Sequence, residues 1–135
     1  MSKIRFLNPR SLFAPPGYTH AVEVTGPGRT VYIAGQVGMD RAFKIVGAPG
    51  DARAQMVQAF ENLKAALAEV GAGFGDLVKI TNYLVDIAHL KDFREVRDAY
   101  INRDTPPAST LLVVSRLAVD GLLFEIDAVA VLPKK

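Results

Sequence analysis

Two carboxylates, Glu125 and Asp127, stand two residues apart in the otherwise apolar run from Leu122 to Leu132. On an extended strand that spacing puts both on one face, about 6 to 7 Å apart. A carboxylate on a largely apolar face needs a partner or a purpose, because taking a charge out of water is costly. Burial raises its affinity for a proton, and such a group can act as a general acid or base that positions water. The competing reading is structural, with the pair forming salt bridges to Arg116 or across a subunit interface. Further polar candidates are Tyr18 after the Pro15-Pro16-Gly17 loop, Gln36 beside Gly35, and Ser109 with Thr110 after Pro106-Pro107. Each also has a plainer role: ring packing for Tyr18, a bond to a strand end for Gln36, turn capping for Ser109 and Thr110.

Other chemistries are excluded by what the chain lacks. It contains no cysteine, which removes disulfides, thiolate metal sites and a cysteine nucleophile. His20 and His89 are far apart and without ligand spacing, which argues against a histidine-held metal. There is no Ser-His-Asp order or nucleophile elbow, and the glycines at 71, 73 and 75 follow a helix rather than open one, so they form no phosphate loop. The 16 basic and 14 acidic residues leave a net charge of only +2, and Lys and Arg gather only at Lys134-Lys135 and in a mixed run from Lys91 to Arg103. That distribution speaks against a nucleic-acid partner. The first residues, MSKIRFLNPR, have no apolar core of signal-peptide length, and no stretch is apolar enough to span a bilayer. A cytoplasmic protein is therefore expected.

The 135 residues suit one domain, residues 1–135, and a hydrophobic content of 50% against 22% charged supplies a core. After the Pro-Pro-Gly loop, His20–Thr25 and Thr30–Val37 are expected to pair as a hairpin across Gly26-Pro27-Gly28. Met56, Phe60, Leu63, Leu67 and Val70 recur at spacings of three and four, predicting a helix capped by Asp51 and stopped at Gly71. Leu77–Val85 reads as a strand, and His89–Ile101 as a helix with the stripe Leu90, Phe93, Val96 and Tyr100. Pro106-Pro107 ends it, and strands Ser109–Ser115 and Leu122–Leu132 follow, joined by a turn at Val119-Asp120-Gly121. The order ββαβαββ describes an α+β domain, a mixed sheet with two helices on one face.

The far face of that sheet is the difficulty. Along the last strand, Leu122, Phe124, Ile126, Ala128, Ala130 and Leu132 suit the helix side, yet the opposite side still carries Leu123, Val129 and Val131 with the two acids. Leu111 to Val114 are apolar on both faces, as in sheets covered on both sides. No third long helix is available, so other copies of the chain are expected to cover it.

Taken in order, Tyr32-Ile-Ala-Gly-Gln36, Phe60-Glu-Asn-Leu63 within Gln55–Gly71, Asp76-Leu-Val-Lys-Ile-Thr81, Pro107-Ala-Ser-Thr110, Val114-Ser-Arg-Leu117 and Glu125-Ile-Asp-Ala-Val-Ala130 resemble the RidA/YjgF family. The resemblance runs from about Tyr18 to Leu132. It implies a chorismate-mutase-like fold and a homotrimer whose sheets form an inner barrel, with clefts between subunits lined by residues from two chains. Archetypal members hydrolyse reactive enamines and imines to a carbonyl compound and ammonia without a cofactor; parts of the family are linked to RNA cleavage or translational inhibition. A small metabolite is thus the implied ligand.

By the resemblance, Glu125 corresponds to the water-positioning acid, Tyr18 to the aromatic that helps to close the cleft, and Gly35 to a backbone turn there. A family serine before that glycine is Ala34 here. The family's Pro-Ala-Arg-Ser motif, whose arginine holds the substrate carboxylate, reads Pro107-Ala108-Ser109-Thr110. Losing a bidentate clamp weakens binding of a 2-imino acid by about 10² to 10⁴-fold. Arg116 is a poor substitute, about 23 Å from Ser109 along the strand and on its other face. Arg97 is expected on the solvated side of the second helix. An altered substrate, met by hydroxyls from Ser109 and Thr110, is the resulting expectation, with a non-catalytic ligand-binding trimer as the alternative.

Overall fold

The computed structural model describes residues 3–135. Its strands are β1 (Lys3–Leu7), β2 (Ala21–Thr25), β3 (Gly28–Val37), β4 (Leu77–Leu84), β5 (Ala108–Val113) and β6 (Phe124–Pro133), with helices α1 (Ala52–Glu69) and α2 (Leu90–Tyr100). The main sheet runs β3-β6-β4-β5; β5 lies parallel to β4 and the other pairs are antiparallel. A parallel neighbour needs a crossover, and α2 is that crossover between β4 and β5. The expected α+β arrangement is therefore present, with a mixed four-stranded sheet and two helices packed on one face.

The expected hairpin between residues 20–25 and 30–37 is not formed. β2 pairs instead with β1, from Lys3 opposite Thr25 to Leu7 opposite Ala21, and β3 pairs with β6. Gly26, at φ 88°, and the donorless Pro27 turn the chain out of one sheet and into the other. Strand β1 had a visible pattern, with half-buried Ile4 and Phe6 alternating with exposed Lys3 and Arg5.

Helix α1 buries Met56, Phe60, Leu63 and Leu67, the stripe its spacing predicts. Asp51 caps its start by accepting from the Ala54 N–H at 3.0 Å. At its end Gly71 takes φ 76°, and the N–H groups of Gly71 and Ala72 bond back to the carbonyls of Ala68 and Leu67, a glycine-terminated Schellman arrangement. Phe60 stacks between Tyr100 of α2 and Phe124 of β6, at centroid distances of 5.0 and 6.0 Å, tying both helices to the central strand. Phe124, Ile126, Ala128, Ala130 and Leu132 are all buried. Burying Phe124, Ile126 or Leu132 is worth roughly 1.5–3 kcal/mol each.

On the other face of β6, Glu125, Asp127 and Val129 are half-buried. Tyr32, beside Val129 in the register, is 80% exposed, and Leu112, beside Tyr83, is 45% exposed. No helix of the described residues covers this face, and none is long and apolar enough to cross a membrane.

Candidate functional site

The register of β6 sets Glu125 between Tyr83 of β4 and Val37 of β3. Between Ile33, opposite Ala128, and Gln36, opposite Ile126, strand β3 carries the extra residue of a β-bulge formed by Ala34 and Gly35. The bulge presses the Gly35 backbone onto the acid: a Cβ there would lie 1.9 Å from Glu125 Oε2. Gln36 secures the bulge, its Nε2 donating to the Ala34 carbonyl at 3.1 Å.

The two carboxylates have different surroundings. Tyr83 donates its hydroxyl to Asp127 Oδ2 at 2.9 Å, and that bond, with burial, raises the tyrosine's own affinity for its proton. Glu125 has no hydrogen-bond or ion-pair partner among the described residues. Burial first, then the charge of Asp127, pushes its carboxyl above the usual carboxylate range. Neither acid pairs with Arg116, which sits in a separate cleft with Ser115, Asp120 and Leu123. The result on this face is one partnered carboxylate holding a tyrosine and one unpartnered carboxyl that binds a proton more readily than normal.

Ser109 lies on the opposite face. It neighbours the buried Ile80 across the parallel pair and lines a cleft of about 170 Å³ with Tyr18, Arg94 and Arg97, floored by Leu90, Phe93 and Leu111. That volume is below the usual range for drug-sized ligands and suits a small metabolite. Thr19 explains why Tyr18 is there. Its N–H donates to the Pro107 carbonyl at 3.2 Å and its hydroxyl to the Pro106 carbonyl at 2.5 Å, clasping the N-terminal segment to the start of β5. The buried Asn82 donates from Nδ2 to Ser109 Oγ at 3.0 Å and to the Thr110 carbonyl at 3.1 Å.

Two expectations need revision. Thr110 is not a companion of Ser109: its hydroxyl meets Lys79 Nζ at 2.7 Å on the acid face, because neighbouring strand residues point to opposite sides. For the same reason of alternation Ser109 and Glu125 lie on opposite faces of the sheet within one chain, whereas the expected cleft drew its residues from two chains. Arg97 is not a solvated surface residue, since its side chain is only 11% exposed. Its guanidinium lies over the Phe93 ring at 5.6 Å, pairs with Asp98 at 3.0 Å and rests against Gly17, where a Cβ would come within 2.5 Å of Nη2. Gly17, at φ 88°, is suited to glycine on backbone grounds as well. The signal for Arg97 was in the sequence: 90, 93 and 97 share a helix flank.

A compact α+β chain with a bulged glycine against a lone acid, and a small cleft beside the crossover helix, defines the class; comparison with known proteins defines the family. The family described as Endoribonuclease L-PSP matches residues 10–132. A RutC family protein of Pyrococcus abyssi is 37% identical over 114 residues, covering 84% of each chain. A rat protein named 2-iminobutanoate/2-iminopropanoate deaminase is 32% identical over 114 residues, 84% of this chain and 79% of that one. Among solved structures, the Rid family protein YyfB of Yersinia pestis matches with a TM-score of 0.82 at 34% identity, covering 96% of this chain and 98% of that one. RidA of an Antarctic Psychrobacter matches with a TM-score of 0.69 at 30% identity, over 87% and 90%. The chain belongs to the RidA/YjgF family.

Proposed function

We propose that this protein is a cytoplasmic imine or enamine hydrolase of altered substrate choice, acting as a homotrimer without a cofactor. The observation that carries the reading is the unpartnered Glu125 carboxyl, raised in proton affinity and seated on the Gly35 bulge. A protonated imine carbon is already electrophilic, so the protein has only to hold the substrate, orient one water and move protons. Water adds to the C=N carbon as Glu125 accepts its proton. Glu125 then returns that proton to nitrogen, the C–N bond breaks as the carbinolamine hydroxyl forms the C=O bond and gives its own proton to the departing nitrogen, and the carbonyl compound and ammonium leave. The rat relative's printed name supports this class of reaction.

Two observations support the trimer. Tyr32 and Leu112 stand exposed on a sheet face that no helix covers. The cleft of Ser109 and the acid of Glu125 lie on opposite faces of one sheet, so a site containing both draws them from different copies. Substrate choice departs from the archetype because Ser109 stands where the resemblance places the carboxylate-binding arginine.

The test is ammonia release from freshly generated imines. Glu125→Gln is expected to lower the rate about 10² to 10⁴-fold. An unchanged rate removes the proposed acid, and ligand binding with no turnover in the parent protein favours a non-catalytic binding trimer instead.

A further inference from the structure

We propose that Arg97, carried on α2, supplies with Ser109 the clamp for an anionic group of the substrate, so that a carboxylate is held from the helix instead of from the strand. The identity of the substrate as an imine rests on the function proposed above; the anion site itself rests on the cleft.

The cleft's charged lining consists of Arg94 and Arg97, with no carboxylate among the residues that form its wall. Asp98 pairs with Arg97 through Nε at 3.1 Å and Nη2 at 3.0 Å. A guanidinium has five N–H donors, so donors remain after that pairing, and Arg94 one turn earlier keeps the cluster net positive. Arg97 is also fixed in place. It is sandwiched between the Phe93 ring and the Gly17 backbone, so little side-chain freedom remains to be lost on binding.

Ser109 is set up to donate. Its oxygen accepts from Asn82 Nδ2 at 3.0 Å, which leaves the hydroxyl proton for another partner. Tyr18 lines the same cleft and carries a further hydroxyl donor. Two arginines and hydroxyl donors lining one cleft, with apolar flooring from Leu90, Phe93 and Leu111, fit a short aliphatic carboxylate and disfavour a cation.

The experiment is calorimetric binding of 2-oxobutanoate, the stable oxo counterpart of the 2-imino acid in the rat relative's name, against its uncharged amide, to the intact protein. The parent protein is expected to prefer the acid about 10 to 100-fold, less so at high salt. Arg97→Met should bring the ratio to about one, and Asp98→Asn, which frees the guanidinium, should raise it. A parent protein that binds acid and amide alike, or an acid preference that survives in Arg97→Met, overturns the clamp. Acid preference that is lost in Arg97→Met, in a protein that releases no ammonia from imines, upholds the clamp and removes the hydrolase reading. Turnover that needs Glu125, with preference indifferent to Arg97, does the reverse.

Discussion

Replacing Gly35 with alanine places a methyl group where the Glu125 carboxylate now sits. The added Cβ would be 1.9 Å from Oε2, 2.7 Å from Cδ and 3.1 Å from Cγ, all atoms of the one side chain. To restore ordinary contact the carboxylate must retreat by about 1.5 Å. Gly35 is not among the residues of positive φ, so alanine accepts its backbone, and the obstacle is the movable end of a side chain. The fold should therefore be spared while the acid is displaced. A misplacement of about 1 Å at a reacting group is worth roughly 10²-fold in rate, or about 2.7 kcal/mol of barrier. Initial rates of ammonia release, paired with thermal melting, measure both effects. The expected result is a loss near 10²-fold with a melting temperature changed by only a few degrees. A variant with the parent rate would show that the acid's seat on the bulge is irrelevant to turnover. A collapse in melting temperature would show that the glycine serves the fold.

Other outcomes follow from the same coordinates. Glu125 binds its proton more tightly folded than unfolded, so its contribution to stability is full below about pH 4.5, the ordinary value for the group, and is lost as pH rises through the raised folded value. Glu125→Gln should accordingly melt higher than the parent at neutral pH, with the gap closing in acid, in a series of melts across pH. The rate of the parent should fall on the acid side as Glu125 takes up its proton, and Asp127→Asn, by removing the neighbouring charge, should move that limb to lower pH. In sedimentation the parent should run as a trimer, and Tyr32→Glu with Leu112→Glu as a monomer that retains its helical circular dichroism. Asp51→Ala removes the α1 cap, costing about 1 kcal/mol and roughly 3–5 °C of melting temperature while leaving turnover unchanged.

What could be read in advance divides by range along the chain. Helix α1 was legible because its cap, stripe and stop are local: Asp51, the residues from Met56 to Leu67, and Gly71 each act within a turn or two. Strand β6 was legible because alternation alone sorts Phe124 and Ile126 from Glu125 and Asp127. Pairing partners were not legible, since β2 could meet β1 or β3 with equal local propriety, and the choice depends on where Gly26-Pro27 sends the chain. Glu125 stood out as a charge in an apolar run. Arg97 stood out less: its place on the flank of Leu90 and Phe93 was a signal, but an arginine there looks solvated until β5 and the Gly17 loop close over it. The separation of Ser109 from Thr110 within one chain is readable from the sequence itself, since adjacent strand residues point to opposite faces of the sheet.

One sheet thus carries the Ser109 cleft and the Glu125 acid back to back, with β4, β5 and β6 as the wall between them. A substitution that reshapes the cleft on one side therefore need not disturb the carboxylate on the other. In a lone chain, however well folded, the Ser109 cleft and the Glu125 carboxylate stay on opposite sides of that wall and never touch.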